Sequence, residues 1–313
     1  MVVTISALLV GVVLLAYAAD QFVLGAARVA LIRRLSPLLV GVVIIGFGTS
    51  SPELLVSAIA AAGGDPEIAV GNIVGSNIAN LSLLLGVGAV IVPIAVASST
   101  VRREAPIAVV AMVAFAVAVQ GGGISLLEGV LLLVALAVSL WLVTRGGAEA
   151  DPLGPEAEEL ADPSAHSLRI EVVRTVLGLI GTVAGAQLLL WGAVDVADRA
   201  GLAEGFVGAT LVAVGTSLPE LVTVVQSARR GETDLVVGNL LGSNLFNALG
   251  VGGVIGLIGS SGIDNVQLTL VAPIMAVAVA SVALVAMVSG HTVRRSEGVA
   301  LIVAYAALVP FLA

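Results

Sequence analysis

The sequence contains no cysteine and no lysine, and only 11% of its 313 residues are charged. The lack of cysteine excludes disulfides, thiolate chemistry and cysteine-ligated metals. Hydrophobic residues make up 59% of the chain, and the mean hydropathy is +1.16. This composition indicates an integral membrane protein. Membrane spans along a chain of 313 residues leave no room for a soluble domain of useful size.

Apolar segments of about 20 residues follow one another along the chain, and each is long enough to cross a hydrocarbon core of about 30 Å. We predict ten such spans, and hence an all-α membrane protein. The spans cover residues 2–24, 36–62, 68–93, 105–121, 124–144, 170–196, 203–228, 234–260, 265–289 and 296–312. The first span has no Lys or Arg ahead of it, so we expect a retained helix and not a signal peptide.

An acidic segment separates the fifth and sixth predicted spans. It is rich in Asp, Glu, Pro, Ala and Gly, a composition typical of a linker that forms no packed core. The sequence therefore predicts a first five-helix repeat at 1–145, a linker at 146–168 and a second five-helix repeat at 169–313. A regulatory calcium-binding loop is the alternative interpretation of the linker, but the regular spacing of acidic residues found in such loops is missing.

Arginine is distributed unevenly between the two sets of loops. Twelve of the 13 arginines fall on one side of the predicted spans, and only Arg199 falls on the other. The positive-inside rule makes the arginine-rich side cytoplasmic. The sequence thus predicts a multi-pass protein of the cell membrane with a cytoplasmic linker and both termini outside.

The two halves of the chain repeat each other at a separation of 167 residues. Of the 46 positions from 35 to 80, 18 carry the same residue 167 positions later. Five predicted spans separate equivalent points, and because five is odd, the second half enters the membrane upside down. Inverted repeats are typical of transporters whose site lies near the bilayer midplane, where the repeats meet. Duplication for stability alone does not explain why the identities concentrate at polar residues.

The repeated polar residues fall on two pairs of predicted spans. Spans two and three contain Thr49, Ser50, Glu53, Ser76 and Asn80, and spans seven and eight contain Thr216, Ser217, Glu220, Ser243 and Asn247. Spacings of three and four residues place these side chains on shared helix faces. A carboxylate at mid-membrane costs about 2.5–3.5 kcal/mol. A chain that carries two of them, each beside hydroxyls, is predicted to use them to hold a cation.

Pro52 and Pro219 predict interrupted helices beside the two carboxylates, because proline lacks an N–H and displaces the carbonyl four residues earlier. The carbonyls of Gly46 and Ala213, one turn before the serines, add backbone oxygens. Oxygen ligands of these kinds suit calcium or sodium. The absence of His and Cys from the spans argues against zinc, copper and iron.

The residues between the polar clusters have a packing interpretation. Glycines four apart, at Gly71 and Gly75 and at Gly238 and Gly242, predict close approach of neighbouring helices. The asparagines that follow Gly71 and Gly238 are predicted to satisfy the carbonyls freed by the prolines.

With Gly-Thr-Ser-x-Pro-Glu followed by Gly-Ser-Asn-x-x-Asn in both halves, the chain resembles the calcium/cation antiporter superfamily, and most of all its sodium/calcium exchanger branch. The resemblance implies ten helices in two inverted repeats, a central four-helix ion site, and sodium-driven calcium movement by alternating access. The ion ligands it implies are the ten polar side chains named above together with backbone oxygens of Gly46 and Ala213. The better-known sodium/calcium exchangers have Asp where this chain has Asn247, which leaves the coupling ion open.

We expect a secondary antiporter that exchanges calcium for sodium. A proton/calcium antiporter of the same fold is one alternative, because a proton can take the place of sodium on a buried Glu. A cation channel is an alternative from another class, although channels usually build rings of ligands around an oligomer axis. No enzymatic activity is expected, since the spans contain no Ser–His or paired-Asp arrangement. The expected partners are calcium and sodium ions and the lipid bilayer, with no cofactor, no nucleic acid and no obligatory protein partner.

Overall fold

A computed structural model of the chain describes residues 2–33, 40–97, 100, 102–146, 167–199, 213–308 and 310, and nearly all of these are helical. The helices, numbered in chain order, are α1 (Val2–Arg33), α2 (Gly41–Thr49), α3 (Ser51–Gly63), α4 (Pro66–Ile91), α5 (Glu104–Val119), α6 (Leu126–Gly146), α7 (Leu168–Arg199), α8 (Ala213–Thr216), α9 (Leu218–Arg229), α10 (Thr233–Ile258), α11 (Gln267–Val288) and α12 (Arg295–Leu308). π-helical turns interrupt them at Gly41–Gly46, Asn80–Leu84, Phe246–Val251 and Gln267–Val271.

The outer surface is apolar, whereas the interior holds polar side chains. Leu9, Val110 and Leu127 are 65%, 66% and 68% exposed, while Glu53 and Glu220 are fully buried. Apolar surface of this extent suits a lipid environment, and α-helices satisfy their own backbone groups there. Among the described residues, five helices are long and apolar enough to cross a membrane, or six when the bent pair α2 and α3 counts as one span. The chain is therefore a multi-pass membrane protein.

Each of the ten predicted spans overlaps at least one helix, but their ends differ. The sequence predicts an end at residue 24 for the first span, whereas α1 continues to Arg33. It continues because Ala26 and Ala30 are buried and Arg28 pairs with Glu171 of α7 at 3.2 Å. Residues 36–39 of the second span, 203–212 of the seventh span, 309 and 311–312 of the tenth span and 147–166 of the linker lie outside the described residues. The domain boundaries therefore stay predictions.

Helices α1 and α7 pack side by side through glycines of α7. A Cβ at Gly178 would lie 2.6 Å from the backbone nitrogen of Phe22, and one at Gly185 would lie 2.6 Å from that of Leu15. Only glycine allows backbones to approach this closely. Phe22 also belongs to a buried apolar cluster with Ile45 and Leu235, and through this cluster the α1–α7 pair packs against α2 and α10.

The packing role predicted for Gly242 is confirmed at the crossing of α10 and α2. A Cβ at Gly242 would lie 2.5 Å from the carbonyl oxygen of Val42, and one at Gly46 would lie 2.9 Å from the Cα of Gly242. Gly71 has more room, because a Cβ there would lie 3.7 Å from its nearest neighbour, the Leu268 side chain. The two backbones therefore meet at the level of Gly46, beside the polar interior.

Replacing Gly242 by Ala is expected to lower the melting temperature of the purified protein, because the added methyl would push α10 away from α2. Overpacking of this kind costs about 1–3 kcal/mol. Gly71→Ala is the matched control, since its methyl would make only ordinary contact, and it should melt close to the parent. Thermal unfolding in detergent measures both. Equal melting temperatures for Gly242→Ala and the parent would contradict the close approach.

Two short β-ladders join the halves of the chain. Strand β1 (Ile94–Ala95) pairs antiparallel with β4 (Thr292–Val293), and β2 (Gly123–Ile124) pairs antiparallel with β3 (Ser260–Ser261). Adding the 167-residue offset to position 94 gives 261, which lies in β3. The equivalent strands β1 and β3 therefore each pair with a strand from the opposite half. Apart from these two-residue strands, the predicted all-α class holds.

Candidate cation-binding site

Two interrupted helices carry the repeated polar motif. The axes of α2 and α3 differ by 46°, and Ser50 between them has φ −79° and ψ 7°. Ser217 repeats this conformation between α8 and α9, with φ −86° and ψ 8°. Pro52 and Pro219, two residues later, lack the N–H that would continue the preceding helix. The interruption that the prolines predict is therefore confirmed in both halves.

The two buried carboxylates are bound by hydroxyls of the opposite half. Glu53 Oε1 accepts a hydrogen bond from Ser217 Oγ at 3.1 Å. Reciprocally, Glu220 Oε1 accepts one from Ser50 Oγ at 3.1 Å. Ser243 Oγ, which belongs to the same half as Glu220, lies 3.4 Å from this oxygen. The halves thus exchange their serines, and the two clusters form one structural unit.

Further hydroxyls and a backbone oxygen surround the carboxylates. Ser217 Oγ lies 3.2 Å from Ser76 Oγ, and Ser243 Oγ donates to the carbonyl oxygen of Gly46 at 3.3 Å. Thr49 Oγ1 lies 3.4 Å from Ser243 Oγ. The sequence therefore predicts correctly that these residues lie together around the glutamates.

Four buried oxygens of the predicted ligand residues have no hydrogen-bond partner in the described protein. They are Glu53 Oε2, Glu220 Oε2, Asn80 Oδ1 and Asn247 Oδ1. Within the described residues, neither glutamate pairs with an arginine. Buried oxygens normally find a partner, and a buried carboxylate needs a compensating charge. These unpartnered oxygens are the atoms with which the site can hold a cation.

The two predicted asparagine ligands lie in π-helical turns. Asn80 opens the π-helical turn Asn80–Leu84 of α4, and Asn247 lies within the turn Phe246–Val251 of α10. Both are fully buried, but neither hydrogen-bonds to a glutamate within the described part of the chain. π-turns widen a helix locally and often occur at functional sites. Ala213 is the first residue of α8.

Asn72 differs from its predicted role. Its Nδ2 donates to Ser57 Oγ at 3.0 Å and to the carbonyl oxygen of Glu53 at 3.3 Å, and not to the carbonyl of Gly48 that Pro52 frees. Its Oδ1 accepts from Thr216 Oγ1 at 3.2 Å. Asn72 therefore supports the backbone of Glu53 and fixes the hydroxyl of Thr216.

Asn239 plays the same part in the second half, but it reaches the backbone of Glu220 through Thr223. Its Oδ1 accepts from Thr49 Oγ1 at 3.2 Å, and its Nδ2 donates to Thr223 Oγ1 at 2.8 Å. Thr223 Oγ1 in turn donates to the carbonyl oxygen of Glu220 at 2.9 Å. Sequence reasoning missed Thr223 and Ser57, because the two are one residue out of step with the 167-residue repeat.

The chain is similar in sequence and in fold to known proteins. Residues 3–145 and 170–313 match the family described as "Sodium/calcium exchanger protein". CaxA of Alkalimonas amylolytica, which bears the name of an antiporter, is 40% identical over 246 residues, which cover 78% of this chain and 77% of that protein. "Sodium/calcium exchanger MaX1" of Methanosarcina acetivorans is 29% identical over 77% of this chain and 79% of that protein. The solved structure of the sodium-calcium exchanger NCX_Mj soaked with Na⁺ superimposes with a TM-score of 0.86 at 29% identity, covering 99% of this chain and 98% of that one.

Proposed function

Because the chain belongs to the sodium/calcium exchanger protein family, a family of cation transporters and not of enzymes, we propose that it exchanges calcium for sodium by alternating access. The ligands are the side chains of Thr49, Ser50, Glu53, Ser76, Asn80, Thr216, Ser217, Glu220, Ser243 and Asn247, together with backbone oxygens of Gly46 and Ala213. Calcium and sodium are the transported ions in this proposal.

The reciprocal arrangement of the two glutamates carries the proposal. Glu53 and Glu220 are fully buried, each keeps one oxygen without a protein partner, and each is bound by a serine of the other half. Two carboxylates neutralise one calcium ion, whereas without a cation they are two costly charges inside the membrane. Carboxylate, hydroxyl and amide oxygens are the ligands that hard cations prefer.

Two inverted five-helix repeats would let this site open alternately to the two sides. In each half, a serine donates a hydrogen bond to the glutamate of the other half, and two β-ladders join the halves. Both features support a pseudo-twofold relation between the repeats. A site at the interface of such repeats is accessible from one side when one repeat moves and from the other when its equivalent moves. The proposal therefore includes ten membrane spans.

The proposal is tested by calcium-45 uptake into vesicles that contain the purified protein. With sodium inside and none outside, we expect uptake that stops when the sodium gradient is dissipated. A pH gradient without sodium should drive little uptake. Uptake driven by the pH gradient and indifferent to sodium would favour the proton/calcium alternative. Calcium flux that follows its own gradient without any counter-ion would favour a channel.

The arginine-rich side of the chain is proposed to be cytoplasmic. Contacts support the placement of these arginines at one end of the molecule, since Arg28 and Arg174 both pair with Glu171, while Arg230 pairs with Asp20. Arg199, the exception, pairs with Asp195.

Single cysteines can test this orientation, because the chain has none of its own. Asp65 and Arg229 are both exposed and lie on opposite predicted sides. In intact cells, a membrane-impermeant thiol reagent should label Asp65→Cys and leave Arg229→Cys unlabelled until the cells are opened. The reverse pattern would overturn the orientation.

A further inference from the structure

Hydrogen bonds fix the orientation of the buried Asn244 side chain. Its Nδ2 donates to the backbone carbonyl oxygen of Asn77 at 3.2 Å. A carbonyl oxygen can only accept, so the nitrogen of the Asn244 amide must lie on that side. Its Oδ1 therefore lies on the other side, where it accepts from Asn80 Nδ2 at 2.9 Å.

This contact determines which atom Asn80 has available. Asn80 must turn its Nδ2 toward Asn244, because only the nitrogen can donate. Its Oδ1 then remains buried and without a protein partner. We infer that Asn244 is a positioning residue, which commits Asn80 to present its oxygen, and not its NH₂ group, to the transported cation. The inference rests on the proposed function of the site.

The second half does not reproduce this arrangement. Neither Oδ1 nor Nδ2 of Asn247 has a hydrogen-bond partner in the described protein, and the Oδ1 of Asn77 also lacks one. The 167-residue repeat makes Asn77 equivalent to Asn244, and Asn247 equivalent to Asn80. Asn77 and Asn247 are therefore the pair that corresponds to Asn244 and Asn80. Asn244 therefore holds one of the two equivalent asparagines, while the other is not held by a hydrogen bond.

Replacing Asn244 by Leu removes the acceptor for Asn80 and keeps a side chain of similar volume. Asn80 can then turn either face of its amide inward, and an NH₂ group carries partial positive charge that repels a cation. We expect calcium affinity to fall by about tenfold or more, as for loss of a buried hydrogen-bonding partner. Equilibrium binding of calcium-45 to the purified protein in detergent measures this change.

The decisive comparison repeats Asn244→Leu in an Asn80→Asp background. Both terminal atoms of an aspartate are oxygens, so its orientation no longer matters and Asn244→Leu should cause no further loss of affinity. A residue that merely holds α10 against α4 would instead cost the same in both backgrounds. An equal loss in both backgrounds, or no loss in the parent background, would overturn the inference.

Two additions keep the result interpretable. If Asn244→Leu does not fold, Asn244→Ser replaces it, because a serine hydroxyl is too short to reach Asn80 and the same suppression is expected. Calcium binding by the parent protein distinguishes failure of the proposed function from failure of the inference about Asn244. A parent that binds no calcium overturns the proposed function and this inference together. A parent that binds calcium but shows no dependence on Asn244 overturns this inference alone.

Discussion

Glu53→Gln and Glu220→Gln should each abolish sodium-driven calcium uptake while leaving the protein folded. The substitution keeps the shape of the side chain and an oxygen that can accept the serine hydrogen bond at 3.1 Å. It removes one of the two charges, and one remaining carboxylate cannot balance a divalent ion where the effective dielectric is low. Initial rates of calcium-45 uptake in sodium-loaded vesicles measure the loss.

Glu67→Gln is the matched control for these variants. Glu67 is exposed near the start of α4, so the same chemical change there should leave uptake close to the parent rate. Gel filtration in detergent shows whether each variant remains monodisperse. Uptake near the parent rate by either Glu53→Gln or Glu220→Gln would mean that the two carboxylates do not share one calcium.

Asn247→Leu should lower calcium uptake by about tenfold or more without lowering the melting temperature. Both polar atoms of Asn247 are buried and unpartnered, so the substitution breaks no hydrogen bond within the described protein. Removing a buried polar group that has no partner is neutral or stabilising for the fold. A loss of transport would therefore reflect the lost oxygen ligand and not a damaged structure.

Asn247→Asp serves as the companion variant, because it keeps an oxygen at the same position. Uptake and melting temperature are measured for both variants and the parent. Asn247→Asp should retain calcium uptake where Asn247→Leu does not. Equal uptake by Asn247→Leu and the parent would show that Asn247 is a packing residue.

The repeat explains why so much of the site could be predicted from the sequence. Ser50 and Glu53 already suggest a polar site in the first half. Because the same residues recur as Ser217 and Glu220, the sequence indicates that the two copies act together. Prolines beside both glutamates predict the interruptions at the serines, because the effect of proline on a helix is local.

Contacts between the halves could not be predicted in the same way. That Ser217 binds Glu53 and Ser50 binds Glu220, and not each the glutamate of its own half, depends on how the repeats pack. The sequence also does not predict the length of α1. Residues beyond 24 remain helical because α1 contacts α7, for example through the pair of Arg28 and Glu171.

The role of Asn244 illustrates a further limit. The sequence marks Asn244 only as a repeated residue beside Ser243, equivalent to Asn77. Which of its amide atoms faces the backbone carbonyl of Asn77 is a property of the packed helices. That contact determines that Asn80 donates to Asn244. Helical periodicity cannot predict which atom of Asn80 faces Asn244.

The central claim is that both halves of the chain contribute to a single cation site. Equilibrium calcium-45 binding to the purified protein, with sodium as competitor, tests it most directly. We predict one calcium ion per chain, displaced by sodium, with affinity lowered by about two orders of magnitude or more in both Glu53→Gln and Glu220→Gln, because each removes half of the compensating charge. Two calcium ions per chain, or binding that survives unchanged in either variant, would contradict the claim.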